Sequence, residues 1–494
     1  MTETAKKKRG MPSSFTILLA LLAIVAVITV IVSGTSGGAV TAARLSDFCT
    51  APIKGFADAL PVCLFVMILG GFLGMMTETG ALDNGIAVLV QKLKGNEIML
   101  IPVLMLIFSL GGTTYGMCEE TVPFYALLAA TMMAAGFDPM VGAATVLLGA
   151  GCGCLGSTVN PFAVGAAVDA LSADKVGIAV NQSIIIGLGA VLWIVTTAIS
   201  IVYVMSYAKK VKADKGSTIL SMQELKDAEE AHGKAASEVH KEVKLTGRQK
   251  GVLIAFAFTF VVMIVGFIPL ADLNEGVANF FDAGAVYDAD GNTVVQGWSA
   301  LITGLPIGQW YFDEASTWFF LMAVLIGIIG GLSEKQIVNT FITGAADMMS
   351  VVLIIALARG ISVLMANTGL DKYVLNAAAD ALAGLSGVIF APMSFLVYFG
   401  LSFLIPSTSG MATVSMPIMG PLAVKLGFSP EVMVMIFSAA IGVVNLFTPT
   451  SGAIMGGLAL AKIEWTTWLK FALKLIVALS VVCAIILTVA CVML

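Results

Sequence analysis

Charged side chains are scarce along the apolar stretches of this chain, so the few that interrupt them are the first candidates for chemistry. Glu119 and Glu120 adjoin within an apolar arm, and Arg359 sits in the middle of another, in Leu357-Ala358-Arg359-Gly360. A carboxylate in such a setting is costly and by default functional: it pairs with a cation, carries a proton or contacts a substrate. The structural alternative is an ion pair that holds the arm to a neighbour. Adjacent helical residues point about 100° apart, so one of the two glutamates is expected to face a site. Arg359 would either clamp a carboxylate bidentately or neutralise Glu119 or Glu120.

Hydroxyl-rich breaks supply the other candidates. Gly112-Thr113-Thr114 and Ser407-Thr408-Ser409-Gly410 are small polar turns at the ends of apolar arms. Ser157-Thr158-Val159-Asn160-Pro161 and Thr448-Pro449-Thr450-Ser451-Gly452 interrupt longer apolar spans. Asn160-Pro161 and Thr448-Pro449 each set an N-capping residue before a proline suited to the first helical position. Each span is therefore expected to stop, unwind and restart as a half-helix at Pro161 or Pro449. The free N–H groups and positive dipole end of that half-helix would face the membrane midplane. The candidate substrate contacts are then Thr113, Thr114, Glu119, Glu120, Asn160, Arg359, Ser407, Thr408, Ser409, Thr450 and Ser451. Oxygen ligands for a hard cation would come from Ser157, Thr158, Asn160, Ser407 and Thr448.

These breaks occur twice. Thr79-Gly80-Ala81-Leu82-Asp83 returns as Thr368-Gly369-Leu370-Asp371, and Gly136-Phe137-Asp138-Pro139 returns as Gly427-Phe428-Ser429-Pro430. The polar turns and the proline breaks recur in the same order, at an offset that stays near 290 residues. Chance similarity of apolar helices explains a constant offset poorly. Paired halves with corresponding Gly/Pro-interrupted segments point to a secondary transporter with a midplane site.

The elements that must position these residues follow from composition. The chain has 494 residues, 59% hydrophobic and 12% charged, against about 25% charged in soluble domains. Apolar runs long enough to span a bilayer recur from end to end, which implies a polytopic all-α membrane protein. Spans are expected at Ser14–Ser33, Leu60–Met76, Pro139–Ala167, Ser183–Tyr207, Gly251–Leu270, Thr317–Gly331, Asp347–Met365, Pro430–Ala461 and Thr467–Met493. Ile98–Leu110 with Thr121–Ala135, and Val388–Leu404 with Met411–Leu426, are shorter arms that fit re-entrant hairpins. The organisation is a first repeat over 1–207, with a hairpin at 98–135 and a broken helix at 139–167. A charged linker covers 208–250, and a linker helix with an acidic loop covers 251–316. The second repeat covers 317–494, with a hairpin at 388–426 and a broken helix at 430–461.

Charge sets the orientation. Lys6 to Arg9 and the ten basic residues from Lys209 to Lys250 contrast with Ala271 to Ser316, which holds acidic residues and no Lys or Arg. The positive-inside rule puts the N-terminus and the linker in the cytoplasm and the acidic loop outside. The second repeat then starts on the opposite side from the first, so the repeats are inverted and the C-terminus is extracytoplasmic. The first apolar run is longer than a signal-peptide core and reads as a retained helix. Cys152 and Cys154 read as small packing residues, and His232 and His240, both in the charged linker, as solvated. No metal-ligand or nucleophile–base constellation suggests an enzyme or a nucleic-acid partner, and no cofactor is expected beyond a coupling Na+ or H+.

Ser109 to Met117, the Glu119-Glu120-Thr121-Val122-Pro123-Phe124 that follows, and Ile405 to Gly410 with Met416-Pro417 resemble the YfcC-type carriers. Those are grouped with the anaerobic C4-dicarboxylate carriers in the ion transporter superfamily. The resemblance runs over nearly the whole chain. It implies an elevator-type transporter of inverted repeats, a homodimer in the bacterial inner membrane, with a scaffold and a mobile domain that holds both hairpins. Superfamily members use Ser, Thr and Asn at hairpin tips and broken helices for a substrate carboxylate and sodium. Here the first tip reads Gly-Thr-Thr where better-known relatives have Ser-Asn-Thr. YfcC-type members carry a provisional assignment as basic amino acid antiporters. Half-helix ends suit a carboxylate and Glu119-Glu120 suits a cation, so the expected substrate is an amino acid, foremost a basic one. The alternative is a dicarboxylate carrier coupled to sodium or protons.

Overall fold

The computed structural model of the chain describes residues 14–82, 84–85, 88, 96–171, 176–238, 244–273, 275–288, 293–405 and 407–494. The described residues are helical throughout, apart from loops and two short paired strands at Val286–Tyr287 and Thr293–Val295. Eight of the helices are long and apolar enough to cross a membrane. Seven of them match expected spans, with ends shifted by a few residues: Ser14–Ser33, Leu60–Glu78, Gln182–Ala213, Gly247–Phe267, Phe312–Gly330, Met349–Thr368 and Trp465–Met493. The hairpins form from Leu100–Tyr115 with Val122–Ala134, and from Gly387–Leu404 with Thr408–Lys425. The first long span breaks between Pro139–Leu155 and Pro161–Leu171, and the second between Pro430–Val444 and Gly452–Leu460.

The repeated Gly-Phe-(Asp/Ser)-Pro tetrad has a local explanation. Gly136 and Gly427 take φ of +87° and +83°, the left-handed conformation that closes a helix. Asp138 and Ser429 then cap the next helix by accepting from Val141 N–H at 3.1 Å and Val432 N–H at 3.3 Å. Pro139 and Pro430 occupy the first helical position, where a missing N–H costs nothing.

Two helices in front of the spanning ones were not expected. Leu45–Asp58 leads into Leu60–Glu78 through a break at Ala59, and Glu334–Asp347 leads into Met349–Thr368 through a break at Met348. At fourteen residues each they are too short and too polar to register as spans. They pack crosswise, Leu45–Asp58 on Met349–Thr368 and Glu334–Asp347 on Leu60–Glu78. A Cβ on Gly55 would collide with Gly360, and one on Gly344 would collide with Gly70. Gly55 and Gly344 are repeat equivalents, as are Gly71 and Gly360, and the Cβ on Gly344 would also stand 3.0 Å from Gly71 Cα, so each crossing is the other with the repeats exchanged. The long broken helices do the same, Gly151 against Leu446 and Gly442 against Leu155. Small residues at crossings let backbones approach within the bilayer, where packing drives association.

Three expectations about local structure need correction. Gly112-Thr113-Thr114 is not a turn: it closes the helix Leu100–Tyr115. Gly112 instead marks a close crossing, because a Cβ there would run into the carbonyl of Ala150. The chain turns at Gly116, with φ of +77°, and Glu119–Thr121 forms a short helical turn at the tip. The second half-helix restarts at Gly452 and not at Pro449. Thr448 bonds to the Thr450 hydroxyl at 2.7 Å and accepts from Thr450 N–H at 3.3 Å, which fixes a turn where the helix was expected. The charged linker is no free connector either. Its helix Met222–Glu238 packs on the hairpin arm Val122–Ala134. Glu224 Oε1 accepts from Glu464 N–H at 2.9 Å, and buried His232 places Nε2 3.1 Å from the Leu460 carbonyl. Burial, with Lys462 nearby, holds the His232 imidazole below its ordinary pKa. His240 lies outside the described residues. Cys152 is buried against Ser200 at 3.1 Å, in keeping with a packing role.

Candidate functional site

The two hairpin tips and the two helix breaks meet around one cavity of about 160 Å³, closed on one side by Met349–Thr368. Glu119, Glu120, Asn160, Arg359, Ser407, Thr408, Ser409, Thr450 and Ser451 all line it. Thr113, Thr114, Ser157, Thr158 and Thr448 do not, and their bonds explain why. Thr113 Oγ1 donates to the Gly156 carbonyl at 2.7 Å, and the Thr113 carbonyl accepts from Thr158 N–H at 2.9 Å and Thr158 Oγ1 at 3.0 Å. This lattice staples the first hairpin to the first break. Thr114 bonds back to Leu110 at 2.6 Å, and Ser157 Oγ donates to the Cys154 carbonyl at 2.6 Å. These hydroxyls hold the loops from behind the cavity wall.

Both glutamates reach the cavity, where only one was expected to. The reason is that they lie on a tight tip turn and not on a regular helix. They are not equivalent. Glu120 is 2% exposed, and its Oε2 accepts from Cys118 N–H at 2.9 Å. Glu119 is the more accessible of the two. Arg359 pairs with neither glutamate. Its Nε stands 3.1 Å from Oδ2 of Asp58, at the break between Leu45–Asp58 and Leu60–Glu78, with the side chains 26% and 53% exposed. Asp58 had no sequence signal, because its partner lies some 300 residues away on an element joined to it only by the crossed packing.

The two half-helix ends differ in a way that decides the chemistry. Asn160 Oδ1 accepts from Phe162 N–H at 2.9 Å and Ala163 N–H at 3.3 Å, and Asn160 Nδ2 donates to Ser157 Oγ at 2.9 Å. The first end is thus capped from within. Gly116 makes room for this, since a Cβ there would stand 2.5 Å from Asn160 Oδ1. Ser451 makes no such cap for Gly452–Leu460. Gly452, Ala453 and Ile454 line the cavity, and the first-turn N–H groups of a helix have no partner inside it. An anion is the natural partner for such an end. Tyr125, Phe162, Phe312, Ser438 and Asn445 complete the wall without having been singled out in the sequence. Phe162 stacks on Phe312 at 5.4 Å between centroids, an apolar flank beside the first break.

Residues 38–492 match the profile of the family described as C4-dicarboxylate anaerobic carrier, DcuC. An uncharacterised Haemophilus influenzae protein is 28% identical over 447 residues, covering 90% of this chain and 78% of that protein. An Escherichia coli protein provisionally named basic amino acid antiporter YfcC is 27% identical over 442 residues, covering 87% of this chain and 77% of that one. Among solved structures, Neisseria gonorrhoeae MtrF, described with a class of antimetabolite efflux pumps, aligns at TM-score 0.44 and 17% identity over 98% of this chain and 96% of its own. The Alcanivorax borkumensis YdaH transporter aligns at TM-score 0.45 and 15% identity over 97% and 98%. Both superpositions are too loose to transfer positions.

Proposed function

Because this chain belongs to the C4-dicarboxylate anaerobic carrier family and is a multi-pass membrane transporter, we propose that it carries a small amino acid with a cationic side chain, by exchange or ion-coupled transport. One observation supports this most: an open half-helix end at Gly452–Ile454 faces the same cavity as Glu119 and Glu120. The first suits a carboxylate, the second a cation. Asp58 partly neutralises Arg359, so the carboxylates at the tip outweigh the positive charge on the wall. The cavity is smaller than the roughly 300 Å³ at which drug-sized pockets begin, in keeping with a solute of amino-acid size.

The rest of the reading is mechanical. The hairpins and broken helices would move as one body against the crossed scaffold, in an elevator cycle, within a homodimer in the bacterial inner membrane. The charge asymmetry of the loops supports a cytoplasmic N-terminus and linker, inverted repeats and an extracytoplasmic C-terminus. Protons suit the site better than sodium as coupling ion, because Ser157, Thr158 and Thr448 sit behind the wall while two carboxylates line it. Arg359 on the wall favours a second reading, a dicarboxylate carrier.

Binding to purified protein separates the two. Lysine and arginine should bind, succinate and fumarate should bind at least tenfold more weakly, and sodium should change neither result. Tight succinate binding with no lysine binding would replace the first reading with the second.

A further inference from the structure

A second cavity, of about 260 Å³, lies behind the second helix break. One wall is Leu21, Ile24, Val25 and Ile28, a single face of Ser14–Ser33 at helical spacing. Facing it are Phe403 from the second hairpin, Phe447 and Pro449 in the break, and Trp465 at the start of the last helix. Among the described residues, Thr450 and Trp465 carry the only polar side-chain atoms of this lining, and both are bonded already. Thr450 Oγ1 is 2.7 Å from Thr448 Oγ1, and Trp465 Nε1 donates to the Phe447 carbonyl at 2.7 Å. The break is thus two-faced. Toward the solute cavity it turns Thr450, Ser451 and the open end at Gly452–Ile454. On the other side Pro449 has no N–H to satisfy, and the Trp465 and Trp468 indoles take the carbonyls of Phe447 and Leu446 at 2.7 and 2.9 Å. Irregular backbone cannot face hydrocarbon with its polar groups unmet, and these bonds remove that obstacle for both carbonyls. The first break is backed by protein instead. A Cβ on Gly156 would stand 2.2 Å from Trp193 N, and one on Gly189 2.2 Å from the Ser157 carbonyl oxygen, so Gln182–Ala213 lies directly on it.

We propose that the second cavity holds one acyl chain of a bilayer phospholipid, which backs the second break as Gln182–Ala213 backs the first. The occupant follows from the setting. Ser14–Ser33 is long and apolar enough to cross the bilayer, and Ile24, Val27 and Val30 on it are more than half exposed, so the medium at this wall is hydrocarbon. The cavity is open to that medium: Ile24 belongs both to the exposed face and to the lining, and Leu21, Ile28, Phe403 and Phe447 are half-buried. A space lined by carbon, with its polar atoms already paired, offers water nothing to bond. Left empty, its walls lose their dispersion partners, and an alkyl chain restores them. Thr450 lines both cavities, so the chain stands behind one residue of the solute cavity's wall and closes that side to water. The inference holds whichever solute is carried.

The experiment is photolabelling of the full chain in nanodiscs of phosphatidylcholine that carries a diazirine at mid-chain, with adducts placed by mass spectrometry. Val27 and Val30 report ordinary contact with the bilayer. The parent should give adducts on Phe403 and Phe447 as well as on those two. Leu21→Trp and Ile28→Trp each put an indole into the second cavity, and neither residue lines the solute cavity. Each should cut the Phe447 adduct several-fold and leave the Val27 and Val30 adducts unchanged. Val30→Trp, on the outer face, should leave Phe447 labelled as in the parent. Labelling of the parent confined to Val27 and Val30 means surface lipid only and overturns the proposal without any variant, so it stays decidable if an indole variant fails to fold. Phe447 adducts that survive both indoles in folded protein, with Tm as the control, overturn it as well, because the chain then arrives by another route.

Discussion

Glu119→Gln is the substitution that bears most directly on how this cavity chooses its solute. It removes one negative charge while keeping the length and hydrogen-bonding reach of the side chain, so any effect reports the charge. A hydrogen bond to a charged group contributes about 1.5–3 kcal/mol, which corresponds to roughly 10- to 100-fold in affinity for a cationic substrate. Two unit charges 4 Å apart interact by about 4 kcal/mol at an effective dielectric of 20, which sets the ceiling. Glu120→Gln should be milder in binding. Its Oε2 already accepts from Cys118 N–H, and the amide oxygen of glutamine can keep that bond.

The assay is calorimetric or scintillation-proximity binding of lysine and arginine to each purified variant, with Tm as the folding control. If Glu119 carries a proton instead, Gln should abolish coupled uptake while leaving exchange intact in vesicles. If both Gln variants fold, bind and transport as the parent does, the cation-binding argument is refuted and the dicarboxylate reading takes its place.

Asp58→Asn should leave Tm nearly unchanged, since a pair this exposed contributes at most about 1 kcal/mol. It should nonetheless lower the ratio of lysine to succinate affinity, because an uncompensated Arg359 repels one and attracts the other; an unchanged ratio would remove Arg359 from the selectivity argument. Gly344→Ala and Gly360→Ala should each destabilise by about 1–3 kcal/mol, the cost of overpacking, since a Cβ at Gly360 would stand 2.8 Å from the Ala51 carbonyl; wild-type melting in both would contradict the crossed scaffold. For His232, burial depresses the folded pKa below the unfolded value near 6.5, so the unfolded imidazole binds the proton first. Docking of Met222–Glu238 should be complete above that pH and weaken as pH falls below it, read by hydrogen exchange over the helix, and His232→Gln should flatten the dependence; equal protection at pH 8 and pH 5.5 would refute it.

How far the sequence carries depends on the range of the forces involved. The hairpins and both breaks were legible because they rest on local rules, proline at the first helical position and short polar side chains before a helix; the caps at Asp138 and Ser429 obey the same rules, but in the sequence only the recurrence of their tetrad stood out. The crossed helices Leu45–Asp58 and Glu334–Asp347 were not, because their meaning lies in packing against a segment some 300 residues away. Gly55, Gly70, Gly344 and Gly360 look like any membrane glycines until the partner backbone is placed against them. The first tip was misplaced for a related reason. Gly112 is used for a close crossing with the helix Pro139–Leu155, and a sequence cannot tell a glycine needed for space from one needed for a turn. His232 and Asp58 were misjudged or missed because burial and ion pairing here are tertiary facts.

The repeat builds a frame that is close to symmetric, and a substrate with unlike ends needs that symmetry broken. Arg359 lines the cavity where the first repeat has Gly70, and three further departures also fall on the cavity. Glu119 and Glu120 stand at the first tip, where the second has Met411-Ala412-Thr413 in the corresponding stretch. Asn160 caps the first half-helix from within, while Ser451 leaves the second open. Ser438 and Asn445 make one long helix polar where its equivalent carries Leu147 and Cys154. Acidic groups thus gather on the first repeat, and bare N–H groups with neutral acceptors gather on the second. A solute with a carboxylate at one end and a cation at the other would lie between the two repeats in a single sense. A dicarboxylate has like ends and would gain nothing from such an arrangement, so the distribution of these departures argues for an asymmetric substrate before any of them is tested alone.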